Sequence, residues 1–97
     1  LREVCFHSQQ CAEKYLKAYL TKKQVEFPRT HLLERLLELC LPDAPEFETV
    51  RNDLKSMENH AIAVRYPGAH VTLEMAESAL AAALRVRAFV RSKLGLP

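Results

Sequence analysis

The chain has no tryptophan, only two glycines and three cysteines in 97 residues, and each shortage closes a class of fold or chemistry. So few glycines leave a turn-rich sandwich or barrel without its turn residues. Cys5, Cys11 and Cys40 are an odd set with no C-x-x-C pair, which gives neither a disulfide framework nor a zinc knuckle. Reduced thiols in a cytoplasmic protein are the expectation. No apolar run approaches the roughly 20 residues that span a bilayer, and no charged-then-apolar leader opens the chain, so no membrane association is expected. A surplus of one charge is missing too: 14 Lys+Arg against 12 Asp+Glu leave +2, too little to hold nucleic acid by bulk charge alone. Any such contact has to be local.

What remains is a globular composition, 48% hydrophobic and 27% charged, in a length that makes one domain. Four helices read along it. Residues 1–22 place Val4, Phe6, Cys11, Ala12, Tyr15, Leu16, Tyr19 and Leu20 on a broad apolar face. The pattern is under way by Val4, which reads as the interior of a longer sequence with a segment upstream. After Pro28, Thr30 is the expected N-cap of a second helix whose Leu32, Leu33, Leu36, Leu37, Leu39 and Cys40 are apolar over more than one face. Such a helix is buried on two sides.

"LPDAPE" breaks the chain, with Asp43 as cap, Pro45 in the first turn and Glu46 three residues after Asp43. The third helix that follows carries Phe47, Val50, Leu54, Met57, Ala61 and Val64 at alternating intervals of three and four, a seam for antiparallel partners. Pro67 and Gly68 stop it near Arg65 or Tyr66. From Thr72 to Leu94 a fourth helix turns Leu73, Ala76, Ala79, Leu80, Ala83, Val86, Val90 and Leu94 inward, and Gly95 and Pro97 mark its end. Short loops between such helices predict an all-α, up-and-down antiparallel four-helix bundle over residues 1–97.

Among His7, His31, His60 and His70 there is no H-x-x-x-H or H-E-x-x-H pair, so no metal site is expected. No G-x-S-x-G, P-loop or G-x-G-x-x-G occurs, and no cofactor is implied. Two stretches exceed what packing asks for. On the first helix Gln10, Lys14 and Lys17 form a polar ridge at helical spacing, either a solvated face or part of a site. The second stretch is "ENHAIAVRYPG", residues 58–68. Its Arg65 and Tyr66 read either as a charge at a helix C-terminus with a core-closing tyrosine, or as ligand contacts.

"CFHSQQCAEKYLKAYL", then "RTHLLERLLEL", then "RYPG" resemble, in that order and spacing, the HEPN domain. The likeness spans nearly the whole chain and implies a small helical module, commonly with a further helix before the Cys-Phe-His segment. It also implies a nucleotide- or RNA-binding role, a homodimer, and a minimal nucleotidyltransferase protein as partner in a toxin–antitoxin pair. A homodimer is expected as well because so small a domain without disulfides would otherwise expose apolar surface. One branch of the family comprises metal-independent endoribonucleases, whose signature is an arginine followed after four to six residues by a histidine at the dimer interface. This sequence departs from that signature. Eight residues separate Arg51 from His60, Lys55 to His60 has the spacing with the wrong cation, and Arg65 to His70 is interrupted by Pro67 and Gly68. His60, Arg65 and His70 are the catalytic candidates if RNA is cleaved.

With helices alternating in direction, the end of the first, the start of the second, the end of the third and the start of the fourth share one end of the bundle. Lys14, Lys17, His31, His60, Arg65 and Tyr66 are then expected to converge. Lys14, Lys17, His31 and Arg65 would hold phosphate, Tyr66 would stack on a base or ribose, and a histidine would move a proton.

Overall fold

The computed structural model describes residues 1–63 and 70–97, of which 61–63 are described by their backbone alone. It holds four helices: α1 (Arg2–Lys22), α2 (Leu33–Cys40), α3 (Arg51–Ala63) and α4 (Leu73–Lys93). A 3-10 helix, Pro45–Val50, runs into α3. The core is where the apolar stripes meet: Leu16 and Leu20 of α1, Leu33, Leu36 and Leu37 of α2, Phe47, Leu54 and Met57 of the third element, and Val86 and Val90 of α4 are all buried. Tyr19, Phe47 and Phe89 meet through this core, tilted and edge to face, with ring centroids 4.6 and 4.9 Å apart. The third-helix seam is thus buried from Phe47 to Met57, while Ala61 and Val64 lie outside the described side chains.

The expected four-helix bundle is present, and α3 runs antiparallel to α2 and to α4. Arg51 reaches Glu38 at 2.8 Å and Lys55 reaches Glu34 at 3.8 Å, while Asp53 pairs with Arg85 at 2.8 Å and Glu46 with Lys93 at 3.4 Å. The alternation of direction fails between α1 and α2. His31, before α2, meets Glu13 in the middle of α1, and Asp43, after α2, meets the Tyr19 hydroxyl. The two helices therefore point the same way.

Residues 23–32 are long enough to allow this. From Lys22 back to the level of Glu13 is nine residues, about 13 Å of helix axis, which ten residues of extended chain cover with ease. Gln24, in the left-handed region at φ 59°, turns the chain just after α1 ends, and Val25 and Phe27 pack against the core along the return. As a consequence α1 and α4 lie side by side in one direction. Cys5 packs with Ala76 and Ala79 at one end, Tyr15 meets Arg91, and Lys22 Nζ donates to the Leu94 carbonyl at 2.7 Å at the other.

Several local expectations are corrected. Thr30 does not cap α2: its hydroxyl accepts the Leu32 N–H at 3.1 Å and closes a turn, and the helix starts at Leu33. Asp43 does not cap the third helix, whose first turn is 3-10 with Ala44 before it; its carboxylate instead accepts from Tyr19, because a buried phenol needs an acceptor. Phe6 is 57% exposed although it stands two heptads before buried Leu20, because α2 enters at the level of Glu13 and does not reach the first turns of α1. Leu73, Leu80 and Leu32 are exposed as well. Thr72 caps α4 as a threonine there should, accepting from the Met75 N–H at 3.1 Å, and Gly95 takes φ 75° just beyond the helix.

Candidate functional site

The entry to α2 gathers the polar motifs of two other helices. Glu13, with a largely buried side chain, accepts from Lys17 Nζ at 3.0 Å, one turn on, and from His31 Nδ1 at 3.0 Å across the return loop. Burial would raise the Glu13 carboxyl, but the hydrogen bonds from Lys17 and His31 outweigh it and hold the group below its ordinary value. Lys17 also stands 5.9 Å from the centre of the Phe27 ring. From α3, Glu58 accepts the N–H of Leu33 and, at 3.2 Å, that of Glu34. A carboxylate from a neighbouring helix thus supplies the cap that the local sequence withholds, at the end of α2 where a negative charge is favoured.

His31 is 84% exposed although its Nδ1 is held. Such a pairing fixes the ring and turns Nε2 outward, toward solvent or a ligand. His60, on α3 two residues after Glu58, is half-buried, and its Nδ1 has no hydrogen-bond partner among the described residues. Lys14 is exposed. Arg65 and Tyr66 lie outside the described residues. His70 is exposed beside Leu1, Arg2 and Glu3. From Glu3 to Lys17 is fourteen residues, about 21 Å along the helix. The structure therefore brings Lys17 and His31 together, on a carboxylate, and sets His70 at the far end of α1. The shared end expected from alternating helices does not form, because α1 ends beside the end of α4; Arg65 and Tyr66 of the expected grouping lie outside the described residues.

The cations weighed for the ribonuclease spacing are engaged elsewhere. Arg51 binds Glu48 at 2.6 Å and Glu38 at 2.8 Å, and Lys55 faces Glu34. Among the described residues no group of three or more histidine, cysteine or acidic side chains is arranged to hold a metal ion. A different positive cluster went unread in the sequence. Arg91 Nη1 donates to the Tyr15 hydroxyl at 3.3 Å, and Arg91 and then Arg87 hold the Tyr15 phenol below its ordinary value. Arg87 and Arg91 are four apart on one stripe of α4, a spacing that does point to a shared face. The capping role of Glu58 had no such local signal, for its partner is 25 residues away.

A helical bundle with a charged, hydrogen-bonded corner and exposed imidazoles defines the class: a small all-α module. The HEPN domain model matches residues 1–93, and the chain belongs to the HEPN domain family, helical modules related to nucleotides and RNA. Among curated proteins and among solved structures nothing matches the chain. No helix among the described residues is long and apolar enough to cross a membrane.

Proposed function

We propose that this HEPN domain is a nucleotide- or RNA-binding module that works in the cytoplasm as a homodimer with a minimal nucleotidyltransferase protein, as part of a toxin–antitoxin pair. The observation that carries the reading is the family match over residues 1–93. The exposed, carboxylate-held His31 beside Lys17 supports it with a surface on which a phosphate can be met. Lys14, Lys17, His31 and Arg65 are the proposed phosphate contacts, and Tyr66 the stacking ring. Glu13 tempers the local charge, so binding rests on several cations acting together. Calorimetric titration with ATP and with a single-stranded oligoribonucleotide tests the reading. Arg65→Ala is expected to weaken binding at least about tenfold, a change of about 1.4 kcal/mol, with the melting temperature unchanged. No binding of either probe by the intact protein overturns it.

A second reading, a metal-independent endoribonuclease, is favoured by one feature, the Glu13–His31 pair. An imidazole fixed through Nδ1 and open at Nε2 is the geometry of a general acid or base. His60, Arg65 and His70 are the further catalytic candidates. RNA cleavage in excess chelator that is lost in His31→Ala or His60→Ala supports this reading; no cleavage by the intact protein leaves the binding module.

A further inference from the structure

The face that α1 and α4 turn outward is patterned along its length. On α4 the residues Leu73, Glu77, Leu80, Leu84, Arg87 and Arg91 follow intervals of four and three and so form one stripe. Leu80 and Leu84 are 48% and 52% exposed. Across from them on α1, Val4, His7 and Cys11 complete an apolar groove with the two leucines, and Tyr15 continues it beside Arg87 and Arg91. The face therefore reads acidic at Glu3 and Glu77, apolar in the middle, and basic at Arg87, Arg91 and Lys22. Neither Glu77 nor any of these three cations pairs with an opposite charged side chain among the described residues; Lys22 and Arg91 instead bond the Leu94 and Pro97 carbonyls. Glu13 and Lys17, by their spacing, lie on the opposite side of α1.

We infer that this face binds a second copy of the same chain, antiparallel, about a two-fold axis passing between Leu80 and Leu84. The inference rests on the proposed dimer and adds its surface. Self-complementarity selects the occupant. In one register the axis sets Leu80 against the partner's Leu84, Glu77 against the partner's Arg87, and Leu73 against the stem of the partner's Arg91. The same register sets Glu3 of α1 near the partner's Tyr15, and each contact occurs twice, as an isologous interface requires. The seam from Glu77 to Arg91 runs about 21 Å, and its intervals of three and four are those of helices packing at a shallow angle. A parallel arrangement would instead set Glu77 on Glu77 and Arg87 on Arg87, and like charges opposed across an interface cost several kcal/mol.

Charge reversal tests this with the intact chain. Glu77→Lys makes both ends of the face basic and Arg87→Glu makes both acidic, so each variant alone is expected to dimerise at least about tenfold more weakly than the native chain. Both sites are exposed, and unchanged circular dichroism and melting of the dilute monomers confirm folding. Mixed in equal amounts the two variants are fully complementary, and light scattering is expected to return a heterodimer with near-native affinity. Dimers that survive either reversal, or a mixture that fails to reassociate, overturn the inference. Leu84→Asp separates the two levels of the account. If that variant stays dimeric, the interface lies elsewhere and the proposed function stands; a native chain that is monomeric at micromolar concentration removes the dimer from both.

Discussion

Replacing Glu58 by alanine removes the cap of α2, and the size of the effect follows from what the carboxylate holds. Its Oε1 accepts from two backbone amides, Leu33 and Glu34, at the first turn of an eight-residue helix whose Leu33, Leu36, Leu37 and Cys40 are all buried. Loss of an N-cap costs about 0.5–2 kcal/mol, and the Leu33 amide, attached to a fully buried residue, adds part of the roughly 1–3 kcal/mol of an unsatisfied buried group. About 2–3 kcal/mol is expected for Glu58→Ala. For a domain of about 100 residues that lowers the melting temperature by roughly 10–20 °C. Glu58→Gln keeps an acceptor and loses the charge, so about half of the loss should return. Urea unfolding gives the free energies, and hydrogen exchange at Leu33 and Glu34 locates the effect. A Glu58→Ala variant within about 0.5 kcal/mol of the native protein, or one with unchanged exchange at these two amides, would refute the assignment.

Leu54→Ala, at a fully buried seam position, is expected to cost about 2–5 kcal/mol in urea unfolding; a negligible change would move that seam to the surface. Tyr19→Phe removes the hydrogen bond to Asp43 and should cost about 0.5–1.5 kcal/mol, with little further loss in Tyr19→Phe combined with Asp43→Ala, as a double-mutant cycle would read. The Glu13 carboxyl is lowered from 4.5 in the folded state, so the folded protein binds that proton less readily than the unfolded chain. Its contribution is complete above the ordinary carboxylate range and is lost as pH falls through the folded value. Glu13→Gln should therefore flatten the loss of stability between about pH 6 and about pH 3, measured by urea unfolding at each pH. Burial, then the Asp43 charge, pushes the Cys40 thiol up to about 12, so Cys40 should resist alkylation in the native protein and react once urea unfolds it.

The helices were legible because their signals are local. The stripe of Leu16, Tyr19 and Leu20 states its own period, and so does that of Phe47, Val50, Leu54 and Met57. Thr72 and Gly95 bound α4 by rules that act within a few residues. The direction of α2 was not legible, for it depends on whether ten residues turn away from α1 or run back along it, and Gln24 gives no glycine to announce the turn. Capping by Glu58 and the Tyr19–Asp43 bond are pairings between distant segments, invisible to any spacing rule. Leu73 and Leu80 mislead in the opposite sense: their apolar character reads as core, while the structure leaves them outside.

Of the candidate site, Lys17 and His31 do meet, on Glu13, a residue outside the grouping expected from the sequence. What they share was hidden. Lys17 of the ridge and His31 of the return loop are both held by Glu13, so two proposed phosphate contacts also fasten that loop to α1. That double use explains why a polar ridge on a surface helix can look too ordered to be merely solvated.

The central claim is that ligand is met on the Glu13 side of α1 while a second copy meets the opposite side. Amide chemical-shift mapping on isotopically labelled protein, titrated first with ATP and then with a single-stranded oligoribonucleotide, tests it most directly. The account predicts shifts concentrated at Lys17, His31 and His60, with Leu80, Leu84, Arg87 and Arg91 unmoved. Shifts confined to the α4 stripe, or none anywhere at saturating probe, would contradict it.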